Sequence, residues 1–184
     1  MADRHDTHPP IRVNRAPVLT LWAAVVAECL GFEWEEALTL GRAVAGLNAY
    51  AKGKALGLFT PTPQEVKAKR QTMDGNKTLM VHLLHRAVPA QQTDMGLRAL
   101  SKEKPIDPAS VQRYLQSKFG TALEDVYKTM RQLATSRQSA TLAEEAYALY
   151  EQFRPAVPSG TKGWGAAGTL SLDTIRQMAR AKET

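Results

Sequence analysis

Residues 16–40, APVLTLWAAVVAECLGFEWEEALTL, carry the reading that decides the fold. They describe two helices with a glycine between them. Pro17 suits the first turn of a helix, where its missing N–H costs nothing. Val18, Leu21, Trp22, Val25 and Cys29 follow at helical spacing, and Leu19, Val26 and Leu30 widen the stripe. A helix that is apolar nearly all round belongs at the centre of a core. Gly31 predicts a left-handed C-cap. A second helix is expected from about Glu33 to Tyr50 or a little beyond, with Gly53 and Gly57 ending it. Glu33, Glu35 and Glu36 crowd its first turns, where carboxylates complement the helix dipole. Gly41, Ala45, Gly46 and Ala49 are small, which predicts close approach to a neighbouring helix. The stretch also has the outline of a helix-turn-helix. Three carboxylates leading the second helix would repel phosphates, so a core helix pair is expected in place of a DNA reader.

Working outward, the first 15 residues are polar, carry no apolar run of the secretory kind, and read as a disordered arm. Residues 16–184 read as a single domain, a length that can bury a core of its own. Beyond Pro61 and Pro63, a short helix is expected over about 63–70 and a turn at Asp74-Gly75-Asn76. TLMVHLLHRAVP, residues 78–89, is ambiguous in period. It is read as a strand over roughly 78–87, paired with a second near 96–101.

The C-terminal half is plainer. Asp107-Pro108 has the form of an N-cap followed by a first-turn proline, Val111, Tyr114, Leu115 and Phe119 share a face, and Gly120 closes that helix. Thr121–Glu124 and Thr141–Glu144 have capping-box spacing, so each is expected to start a helix. The first of these carries Leu123, Val126, Tyr127, Met130 and Leu133. The second carries Ala146, Tyr147, Leu149, Tyr150 and Phe153 and stops at Arg154, before Pro155. A last helix runs from about Ser171 to Ala181. The fold class expected is mainly α within α+β: a bundle of six to seven helices with a small central β-hairpin.

Charge is unevenly spread. The chain of 184 residues has a formal net charge of +6, and residues 51–104 hold 10 basic against 4 acidic side chains. Lys52, Lys54, Lys67, Lys69, Arg70 and Lys77 form the densest part, and Arg86, Arg98, Lys102 and Lys104 follow. Such a cluster can neutralise phosphates without reading sequence, so these six residues are the candidate contacts for nucleic acid or another polyanion. Only Tyr50 and Phe59 lie near it, which gives little support for base stacking.

No catalytic motif emerges. Gly163-Trp-Gly165-Ala-Ala-Gly168 matches the dinucleotide fingerprint in letters. Two prolines precede it and 16 residues follow it, which leaves no room for the flanking strands of a βαβ unit. The expectation is a structural turn that buries Trp164, with Ser171 capping the last helix. His5, His8, His82 and His85 lack the further ligands a zinc ion wants. Cys29, the sole cysteine, lies on an apolar stripe and reads as a core residue, with no intrachain disulfide possible. No catalytic residue, cofactor or metal is expected, and the longest apolar run is too short to span a bilayer.

Three segments resemble a family of uncharacterised bacterial proteins of about this length. They are residues 16–57 (APVLTLWAAVVAECLGFEWEEALTLGRAVAGLNAYAKGKALG), 104–120 (KPIDPASVQRYLQSKFG) and 149–179 (LYEQFRPAVPSGTKGWGAAGTLSLDTIRQMA). The resemblance implies an intracellular, single-domain protein and carries over no activity or site residue. The function expected is a non-enzymatic binding protein in the cytoplasm that contacts a polyanion through its basic middle. A protein-interaction or regulatory module, and a small enzyme whose site no linear motif reveals, are the alternatives.

Overall fold

The computed structural model describes residues 11–55, 78–155 and 167–181. In chain order these form β1 (Ile11–Asn14), α1 (Arg15–Cys29), α2 (Trp34–Ala55), β2 (Thr78–Leu83), β3 (Arg86–Thr93), β4 (Gly96–Ser101), β5 (Lys104–Pro105), α3 (Pro108–Phe119), a 3-10 turn (Gly120–Ala122), α4 (Leu123–Thr135), α5 (Ser139–Phe153), β6 (Ala167–Leu170) and α6 (Leu172–Ala181). The architecture is α+β, with two antiparallel sheets: β2-β3-β4-β5, and β1 paired with β6.

α1 is the centre, as its composition predicts. Every residue from Pro17 to Ala27 is buried, and the helix packs against α2, α3, α4 and α5. Trp22 Nε1 donates to the carbonyl of Ala146, 2.9 Å away, and the ring meets Phe153 edge to face at 5.2 Å. Burying an indole without an acceptor would leave a donor unpaired, so this bond completes the packing. α1 ends in a Schellman motif. The N–H of Gly31, at φ +117°, donates to Glu28 and that of Phe32 donates to Ala27. Close approach of α1 and α2 occurs at Gly41, where a Cβ would run into the Thr20 carbonyl and the Ala24 amide. Gly46 has open space around it and takes no part in that contact. α2 continues through Gly53 to Ala55.

The second half follows its signals closely, with two exceptions. Asp107 caps α3 by accepting from the amide of Ala109 at 3.1 Å. Val111, Leu115 and Phe119 are buried, as are Val126, Met130 and Leu133, and Ala146, Leu149, Tyr150 and Phe153. Ser171 Oγ accepts from the amide of Thr174 at the start of α6. Neither capping box forms. The 3-10 turn intervenes before α4, whose N-cap is Ala122, and α5 starts at Ser139, two residues before Thr141. Local capping chemistry is overridden where the preceding turn already satisfies or displaces the helix end.

The larger departures are in the strands. Residues 11–14, expected within the N-terminal arm, form β1, with Val13 opposite Gly168. Gly168 therefore lies in a strand of an antiparallel pair and not at the mouth of a helix. Residues 1–10, the segment 56–77 with its expected helix and turn, and Trp164 lie outside the described residues. The single strand expected over 78–87 is instead a hairpin. β2 turns at Leu84-His85 into β3, and β4 then pairs with β3. Leu84 and His85 have φ of 50° and 62°, and Lys102 and Glu103 in the next two-residue turn have 52° and 68°. These are the backbone requirements of type I′ turns, met without the usual Asn-Gly. Burial of Leu83 and Leu84 at the hairpin tip against the core offsets the strain of the first turn.

Candidate functional site

The start of α2 organises the site, because its first three residues point three ways. Glu36 serves the fold: Oε1 accepts from the amide of Glu33, just before the helix, at 3.0 Å, and Oε2 accepts from the Leu97 amide of β4 at 2.9 Å. One turn on, buried Thr39 accepts from the Ala99 amide at 3.0 Å and donates to the Glu36 carbonyl. Glu35 lies 3.6 Å from the guanidinium of Arg98, whose side chain is only 7% exposed and also donates to the carbonyls of Leu97 and Met95. The acidic turn that argued against DNA reading is thus engaged by the sheet.

Trp34, the first residue of α2, points the third way. Its half-buried indole forms a wall of a cleft of about 830 Å³ together with Leu21, Leu115, Leu123 and Tyr127. Gln112, Gln116, Thr121, Glu28 and Glu124 supply its polar groups, and no lysine, arginine or histidine among the described residues lines it. Trp34 meets Tyr127 edge to face at 5.1 Å, and its Nε1 donates weakly to Gln112 Oε1 at 3.4 Å. The volume is that of a small-molecule site, with an apolar body and few polar groups.

Glu28 closes one end. Its Oε1 accepts from the Tyr127 hydroxyl at 2.7 Å and from Arg131 NH1 at 2.6 Å, while Arg131 also reaches the Tyr127 oxygen at 3.3 Å. Tyr127 and Arg131 are four apart on α4, so one helical face presents both to a carboxylate on α1. Oε2 of Glu28 accepts from no described residue. Desolvation, then the Glu28 hydrogen bond and charge, push the Tyr127 phenol above its ordinary range against the opposing pull of Arg131. The phenol therefore stays protonated near neutrality and acts as a donor. Cys29 beside it is half-buried, and desolvation raises its thiol above the usual range, which suits a packing role and not a nucleophile. Among the described residues no three potential metal ligands gather.

A second cleft of about 580 Å³ adjoins the first across Trp34 and Gln112, between the starts of α2 and α3 and the β3–β4 turn. Met95, 78% exposed, stands at its edge.

Among the described residues that line the two clefts, the only basic side chain is Arg98, in the second. Lys52 and Lys54 lie on the end of α2, with side chains outside the description, and Lys67, Lys69, Arg70 and Lys77 fall outside the described residues. Of the basic residues that follow them, Arg98 is buried and tied to Glu35, while Lys102 on the β4–β5 turn and Lys104 at the start of β5 are exposed. Sequence reading missed Glu28, Trp34, Gln112, Tyr127 and Arg131. The one available signal was Glu28, a lone carboxylate at the end of an otherwise apolar helix.

No protein-family model, curated protein or solved structure matches the chain. No helix among the described residues is long and apolar enough to cross a membrane.

Proposed function

We propose that the chain is a binding protein and that the cleft beside Trp34 takes a small ligand with a flat apolar body and a cationic nitrogen. The observation that carries this reading is Glu28, with one oxygen held by Tyr127 and Arg131 and the other unclaimed by any described residue, at the end of an aromatic-walled cleft that no cation among the described residues lines. A nitrogen at Oε2 would gain a charge-assisted hydrogen bond, and the indole face adds attraction for the same charge. The pairing of Glu28 with Arg131, and a Tyr127 that keeps its proton, support holding a ligand over transferring a proton.

Phenethylamine and 3-phenylpropionate, matched in ring and length, test it. The amine is expected to quench Trp34 emission, and Trp34→Phe identifies the signal. Glu28→Gln is expected to weaken amine binding by about tenfold, the scale of a hydrogen bond to a charged group. Equal binding of the acid, or binding of neither compound, overturns the reading.

A second reading, contact with nucleic acid or another polyanion through residues 52–77, rests on the concentration of charge in residues 51–104. Steep loss of heparin retention with added salt supports it, and retention no better than a neutral control removes it.

A further inference from the structure

The four-stranded sheet has a free edge with a defined set of donors and acceptors. Leu83 and Arg86 flank a two-residue turn and so form a hydrogen-bonded pair. Counting back, Val81 and Leu79 bond to β3, while the amides and carbonyls of His82 and Met80 point away from it. Pro89, which has no N–H, stands opposite Met80 in one of the non-bonded pairs, where β3 needs no donor toward β2. Among the described residues, nothing bonds to the outward groups of Met80 and His82. The devices that keep edges from pairing are missing as well: Thr78–Leu83 contains no charge, no proline and no bulge. Leu79 and Met80 are 44% and 46% exposed, two of the three exposed large hydrophobics in the described residues.

We propose that β2 is a dimerisation edge and that its occupant is β2 of a second copy of this chain. The row of outward amides and carbonyls calls for a strand, and an uncharged edge offers nothing to select an acidic or basic peptide. The strand is self-complementary. Antiparallel pairing about Val81 sets Met80 against His82 of the second copy, so the outward groups of these two residues on both strands are satisfied together. The same pairing sets Leu79 beside Leu83 of the second copy on one face. Two four-stranded sheets then join into one of eight.

The test uses the full chain. Sedimentation across micromolar to several-hundred-micromolar protein is expected to show the mass doubling, and exchange of the Met80 and His82 amides is expected to slow over the same range. Met80→Pro removes an outward donor and leaves the β2–β3 ladder intact, so it should hold the protein at one chain, with a thermal midpoint close to that of the wild type at dilutions where both are single chains. Met80→Lys keeps the backbone and sets like charges together, and it should do the same if the proline variant folds poorly. A wild-type chain that stays single throughout overturns the proposal. So does a dimer that survives both substitutions. Amide protection at Met80 and His82 that ignores concentration also overturns it, because another part of the same chain would then cover the edge.

Discussion

The two edges of the four-stranded sheet are finished differently. On the β4 side the outward amides of Leu97 and Ala99 are met by Glu36 and Thr39 of α2, the Ile106 amide donates to the Ala99 carbonyl, and the short β5 covers the remainder. On the β2 side the outward groups of Met80 and His82 meet nothing among the described residues. A sheet edge is closed here by side chains of a helix and not by another long strand. Helix α2 can close only the edge against which it lies. The acidic start of α2 is therefore structural twice over. It complements its own helix dipole and supplies the acceptors that terminate a sheet.

A proline scan of β2 separates the two faces of the strand most sharply. Val81→Pro removes a ladder donor and should destabilise by roughly 3 kcal/mol, whereas Met80→Pro should cost less than about 0.5 kcal/mol because its amide faces outward. Equal losses in chemical denaturation would mean the edge is assigned to the wrong residues. Next in size is Thr39→Val, nearly isosteric, which leaves the Ala99 amide buried without an acceptor. A loss of about 1–3 kcal/mol is expected, with faster exchange at Ala99. Thr39→Ser, which keeps the acceptor, should recover most of it. The smallest effect is a gain. Glu103→Gly relieves a left-handed backbone at an exposed turn and should stabilise by a few tenths to about 1 kcal/mol, which calorimetry can read as a raised midpoint.

The sheet also shows where sequence reading runs short. Residues 78–87 read as one strand because Leu84-His85 carries none of the Gly, Asn or Asp that marks a type I′ turn. The turn exists because Leu83 and Leu84 are buried, and that burial is a property of the assembled body. Likewise Ile11–Asn14 reads as arm because its partner strand lies more than 150 residues away, at Ala167–Leu170. The candidate cleft was illegible for the same reason. Its Glu28–Tyr127 bond joins residues 99 apart and its Trp34–Gln112 bond residues 78 apart.

What the sequence determined by itself is the helical body. The central placement of α1 follows from a run of residues apolar on every side, while the Schellman end at Gly31, the Asp107 cap and the Arg154 stop follow from hydrogen bonds that close within four or five residues, so a short window contains both partners. Tertiary structure alone decided the strand pairing, the closing of one sheet edge by Glu36 and Thr39, and the gathering of Trp34, Glu28 and Tyr127 into one cleft. Each of those depends on contacts across tens of residues, which form only once the apolar helices have packed and placed their ends.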